Sequence, residues 1–142
     1  ILIVPAAWSF HVVTSADPTE LRISDARAIA RAVDRVAHKG DVVLSFWPGF
    51  IYESEVRQFP GLESDFAPFV ISNTHLSAGR AAGYHMLSTD GMKQAITSHA
   101  VRVIVFGKGA ANQGVRWRQI ISTAGYRPVA KLRPGVVIFA LS

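Results

Sequence analysis

The sequence predicts a small three-layer Rossmann-like α/β domain with a mainly parallel sheet and a C-terminal antiparallel hairpin. Three observations predict it. Val101–Phe106 is continuously apolar apart from Arg102, as expected of a strand covered on both faces. Segments with a 3.6-residue apolar period alternate with such strands. Tyr126–Leu132 and Val136–Leu141 are joined only by Arg133-Pro134-Gly135, which reads as an antiparallel hairpin.

The elements follow in order. Asp17-Pro18 marks a turn or linker. Ser24-Asp25 suits a helix N-cap, and Ala26, Ile29, Ala30, Val33, Val36 and Ala37 follow at helical spacing. Arg27, Arg31, Asp34 and Arg35 take the outer face, and Lys39-Gly40 supplies a basic last turn and a C-cap. The strand Asp41–Phe46 comes next. Beyond Trp47-Pro48-Gly49 the chain loses its period until about residue 75, and Pro48, Pro60 and Pro68 argue against a regular helix there. A short helix is expected over 77–86, a second from Ser88-Thr89-Asp90 to Ser98, and a third over 111–124, closed by Gly125.

Composition bounds the reading. The 142 residues fit one domain. Only 18% are charged, below the usual share of about 25%. There is no cysteine, so disulfide and thiolate chemistry are excluded. All ten carboxylates lie at or before Asp90, whereas residues 101–142 carry seven basic residues and no acid. Such a one-sided basic segment suits nucleic acid, anionic lipid or a phosphorylated ligand, or serves only as a solvated face. A nucleic-acid module needs a basic stripe with exposed aromatics. Trp117 between Arg116 and Arg118 is the one local hint, and no nucleic-acid partner is expected.

Residues 1–16 contain no Asp, Glu, Lys or Arg, and the chain begins at Ile1. The apolar run falls short of the roughly 20 residues that span a bilayer and lacks a basic leader region. It reads as a buried first strand or as the end of a transmembrane helix, with Trp8 and His11 suited to the interface. The second reading is preferred, which leaves residues 17–142 as a single soluble α/β domain.

Three motifs bear on chemistry. The first is the aromatic, acidic loop. Its Glu53, Glu55, Glu63 and Asp65 are interleaved with Trp47, Phe50, Tyr52, Phe59 and Phe66. Paired carboxylates across a cleft would do acid–base work on a glycoside. Aromatic faces with flanking acids also suit sugar binding, and the plain alternative pins the loop to the sheet with the acids facing water or pairing with Arg57 and Arg80. Second, Gly107-Lys-Gly-Ala-Ala-Asn-Gln-Gly114 follows a strand and opens a helix, but its spacing matches neither the dinucleotide fingerprint nor the Walker A loop. Gly107, Lys108 and Gly109 are nonetheless candidates for anion binding through backbone N–H groups, against a plain βα turn. Third, His11, His38, His75, His85 and His99 show no metal-ligand spacing, so no metal or cofactor is expected. His75, near the end of the loop, is the one histidine retained as a candidate.

Trp47-Pro48-Gly49, Tyr52-Glu53-Ser54, Pro60-Gly61-Leu62-Glu63 and Asp65-Phe66 together resemble a segment of polytopic membrane glycosyltransferases related to the dolichyl-phosphate-mannose protein mannosyltransferases. The resemblance covers most of residues 17–142. It implies a soluble extracytoplasmic α/β domain, following a bundle of transmembrane helices, in an enzyme that uses a lipid-phosphate sugar donor. The catalytic acid of that family lies in an early external loop with no counterpart here, so the resemblance implies a domain that does not catalyse alone. Trp47, Tyr52, Glu53, Glu63, Asp65 and His75 would then bind substrate or position the loop. The implied partners are the membrane part of the same polypeptide, a lipid-linked sugar and anionic lipid headgroups facing the basic C-terminal third. The competing reading is a free-standing α/β protein that binds a nucleotide or phosphorylated small molecule at Gly107–Gly114. It expects residues 1–4 to pair as a central strand with Val101–Phe106.

Overall fold

The computed structural model of the chain describes residues 23–64, 66–107, 116–132 and 135–141, with residues 66, 69, 72 and 73 described by backbone alone. The expectations for residues 1–16, Asp65, Lys108 and Gly109 lie outside the described residues. The order is α1 (Ile23–Asp34), β1 (Val42–Ser45), a 3-10 turn (Pro48–Phe50), β2 (Arg57–Gln58), α2 (Phe66–Asn73), α3 (Ala78–Gly83), α4 (Thr89–Thr97), β3 (Val103–Phe106), α5 (Trp117–Thr123), β4 (Arg127–Leu132) and β5 (Val136–Ala140).

The strands form one sheet in the order β2-β1-β3-β5-β4. β1 pairs in parallel with β2 and with β3; β5 is antiparallel to both β3 and β4. Among the described strands, β5 alone therefore runs against the rest. Both edges of β3 are occupied, by β1 and β5, so no edge of Val103–Phe106 is open to a further strand.

Side chains alternate across the central strands. Leu44, Ile104, Phe106, Val137 and Phe139 face one core, together with buried residues of α2 to α5. Val43, Val103, Val105, Val136 and Ile138 face another, under Ile29, Ala32 and Val33 of α1. This is the period-2 pattern of a sheet buried on both sides. Arg27, Arg31 and Asp34 lie on the exposed face of α1, as their spacing indicates. The helix stops at Asp34, so Val36 falls beyond its end and is exposed, and Gly40 begins the approach to β1 instead of capping the helix.

The segment from Trp47 to His75 is more ordered than its sequence suggests. Phe59-Pro60-Gly61-Leu62 makes a tight turn, closed by a hydrogen bond from the Leu62 N–H to the Phe59 carbonyl at 3.1 Å. Proline at the second position and glycine at φ +83° at the third are what a type II turn demands. α2 contains Pro68, against the expectation that this proline excludes a helix. It occupies the first turn, where backbone N–H groups lack an intrahelical acceptor anyway.

Candidate functional site

β1 and β3 run in parallel, so both carboxyl ends lie on one edge of the sheet. The connection from β1 to β2 buries Phe50 and Ile51 in the α1-side core. The connection from β2 to β3 buries Leu62, Ala67, Ile71, Leu76, Ala81 and Met92 in the opposite core. The chain thus leaves β1 across one face and reaches β3 across the other. The gap between these two strands is a topological switch point, where open α/β sheets hold ligands.

At this edge Phe46 and Trp47 point to opposite faces. The Phe46 ring packs edge-on against Phe106, with centroids 4.9 Å apart, and against Trp117 at 5.7 Å. Trp47 packs edge-on against Phe50 at 5.0 Å. The Trp47 ring folds over Gly49, where any Cβ would collide with it. Phe50 in turn covers Gly107, where a Cβ would lie 2.7 Å from the ring. Two aromatic rings are therefore clasped between two glycines. This clasp joins the Trp-Pro-Gly motif to the start of the glycine-rich turn, which the sequence offers only as separate signals.

From the clasp the loop descends along α1. Glu53 accepts from the Arg27 guanidinium at 3.0 Å, and Lys39 donates to Glu55 at 3.1 Å. The Glu55 N–H donates to Asp34 at 3.1 Å, and the Ser54 hydroxyl to the Ile51 carbonyl at 2.7 Å. The Arg57 guanidinium donates to the Gly40 carbonyl at 3.0 Å, and among the described residues it has no ion pair with a loop acid. Tyr52, held between these anchors, is 88% exposed.

The remaining candidates lie elsewhere. Glu63 accepts the Gly61 N–H at 2.7 Å and so braces the Pro-Gly turn. His75 stands 3.7 Å from Asp90, with both side chains exposed, beside the helices of the second core. Glu53 and Glu63 therefore belong to different sides of the sheet, each with its own partner, and do not flank a common cleft. Among the described residues no group of three potential metal ligands converges.

Gln58 carries a role that no sequence signal marked. β2 is only two residues long, and the Gln58 side chain continues its pairing with β1. Its carboxamide accepts from the Ser45 N–H at 3.1 Å and donates to the Ser45 carbonyl at 2.7 Å. It also donates to the Leu62 carbonyl at 3.0 Å. One amide therefore ties the end of β1 to the Pro-Gly turn. The Ser45 hydroxyl adds a 2.7 Å bond to the Trp47 carbonyl.

The described basic residues of the C-terminal segment do not all share one face. Arg127 stands opposite Ala140 on the α1 side of the sheet, whereas Lys131 stands opposite Val137 on the other. Arg102 precedes β3, at the amino end of that strand. A single basic face formed by the whole segment is therefore not seen among the described residues. Trp117 is 1% exposed, inside the core, and offers no face for base stacking. No helix among the described residues is long and apolar enough to cross a membrane. Comparison with protein-family models, curated proteins and solved structures finds no match.

Proposed function

We propose that this α/β unit is a non-catalytic accessory domain of a membrane-embedded glycosyltransferase, on the extracytoplasmic side, in an enzyme that takes sugar from a lipid-phosphate donor. The observation that carries the reading is the state of the loop. It is braced at Trp47, Glu53, Ser54 and Glu55, yet it leaves Tyr52 standing out of the surface. A rigid loop that presents one aromatic side chain suits contact with a partner surface or a sugar face, since an ordered aromatic gives contact area at little cost in conformational entropy. The engagement of Glu53, Glu55 and Glu63 by their own partners supports a positioning role over acid–base chemistry. In the finer fold reading, α1 forms one outer layer of a three-layer Rossmann-like domain and α4 with α5 the other.

Nanodiscs with and without a polyprenyl-phosphate-linked sugar test this proposal. The chain should bind the loaded discs preferentially, Tyr52→Ala should weaken binding about tenfold, and the chain alone should transfer no sugar. Equal binding by Tyr52→Ala, or turnover by the chain alone, overturns it. A second reading, binding of a nucleotide or phosphorylated small molecule at the Gly107 turn, draws support from the position of Gly107 at the switch point. Against it stand the filled edges of β3 and the Phe50 ring lying on Gly107. Saturable binding of a nucleoside diphosphate, lost in Gly107→Val, would favour this second reading over the first.

A further inference from the structure

A groove of about 400 Å³ lies between α5 and the β4–β5 hairpin. That volume falls within the range of small-molecule sites, about 300–1,000 Å³. Its floor is apolar, formed by Pro128, Val137 and Phe139, and its polar groups are Arg118, Ser122 and Lys131. Neither cation has a carboxylate partner among the described residues, and the sequence holds no acid beyond Asp90. The Arg118 guanidinium lies over the Phe106 ring, 5.8 Å from its centroid, so its position is set by packing as well as by solvent.

The convergence of the two cations depends on an irregularity in β4. The β4–β5 register runs Pro128↔Phe139 and then Ala130↔Ile138, so Val129 is an extra residue. Strict alternation from Pro128 would turn Lys131 towards the α1 side with Arg127. The bulge shifts the phase by one. Ala130 and Leu132 then pack on the α1-side core, and Lys131 joins Arg118 over the groove. Re-aiming one side chain is a characteristic effect of a bulge.

We propose that this groove binds an organic phosphate monoester with a short alkyl chain, the phosphate between Arg118 and Lys131 with Ser122 donating, and the chain along Val137 and Phe139. Two cations with no described carboxylate partner, together with a hydroxyl, match a tetrahedral oxyanion. Most of the exposed lining is apolar, which favours a ligand that carries carbon as well as phosphate. The proposal stands apart from the loop and from the membrane reading, because neither Tyr52 nor a bilayer enters it.

The test is a titration of the 142-residue chain, followed by heat and by the methyl resonances of Val137, with n-octyl phosphate, inorganic phosphate and 1-octanol. Octyl phosphate below its micellar concentration should bind saturably and shift Val137. Inorganic phosphate and octanol should each bind at least tenfold more weakly. Arg118→Gln and Lys131→Gln should each cost about tenfold in affinity, the loss of one charge-assisted hydrogen bond. Arg127→Gln on the opposite face, and Tyr52→Ala, should leave affinity unchanged. Absence of saturable binding, octanol binding as tightly as octyl phosphate, or an equal loss in Arg127→Gln overturns the proposal.

Discussion

Gln58 illustrates how one side chain can complete a secondary structure. Its amide supplies both partners of a ladder rung that a two-residue strand cannot, and it satisfies the Leu62 carbonyl as well. Gln58→Leu keeps the bulk but strands these backbone groups. It should cost about 1–3 kcal/mol in denaturant unfolding, the usual penalty for an unsatisfied buried polar group. A loss below a few tenths of a kcal/mol would remove Gln58 from this role. Tyr126 is a second such residue. Its hydroxyl donates to the Val101 carbonyl at 2.6 Å, and burial pushes its pKa above the ordinary tyrosine value. The folded state therefore holds this proton more tightly than the unfolded chain does. Stability from this group is complete below about pH 10 and declines as pH rises above it through the folded pKa. Tyr126→Phe should be less stable at neutral pH and should lose less on going to alkaline pH. An unchanged alkaline slope would count against the assignment. Neither role was legible in the sequence, because a lone glutamine in an aperiodic stretch carries no signal until Ser45 and Leu62 are brought beside it.

Short elements here owe their form to single residues at defined positions. The Pro60-Gly61 pair makes its turn by local backbone preference alone, and that much can be read from the chain. The bulge in β4 cannot, since Arg127–Leu132 reads equally well as a regular strand. Deleting Val129 removes the extra residue, so alternation from Pro128 leaves Ala130 and Leu132 on the α1-side core and Lys131 over the groove. The deletion should therefore fold with the same side chains buried and change stability by no more than about 1 kcal/mol. A loss of several kcal/mol in denaturant unfolding would show that the bulge itself holds the register. The clasp at the carboxyl edge makes a stricter demand. Gly107→Ala should cost about 1–3 kcal/mol by crowding the buried Phe50 ring, and less in a Phe50→Leu background. Equal cost in both backgrounds would separate Gly107 from Phe50.

The sheet divides the apolar interior into two cores that share the same strands. α1 covers one and α5 the other, so neither helix can detach without exposing residues of β1, β3 and β5. The molecule should accordingly unfold as one cooperative unit. Ile29→Ala and Ile121→Ala, in opposite cores, should each lower stability by about 2–5 kcal/mol while preserving a single transition. Their effects should add, because the two side chains share no contacts across the sheet. Two separate transitions, by fluorescence and far-ultraviolet circular dichroism, would contradict this account.

Local preference and periodicity were enough to specify the α/β class, a helix starting at about Ser88, strands within Asp41–Phe46 and Val101–Phe106 and the terminal hairpin. Each rests on contacts between residues near in sequence, or on burial patterns that repeat every two or 3.6 positions. The strand order, the clasp of Trp47 and Phe50 on two glycines, the pairing of Glu53 with Arg27 and the placing of Arg118 and Lys131 on one groove rest on long-range packing. They depend on which faces come together when the chain crosses the sheet, and no local pattern encodes that choice.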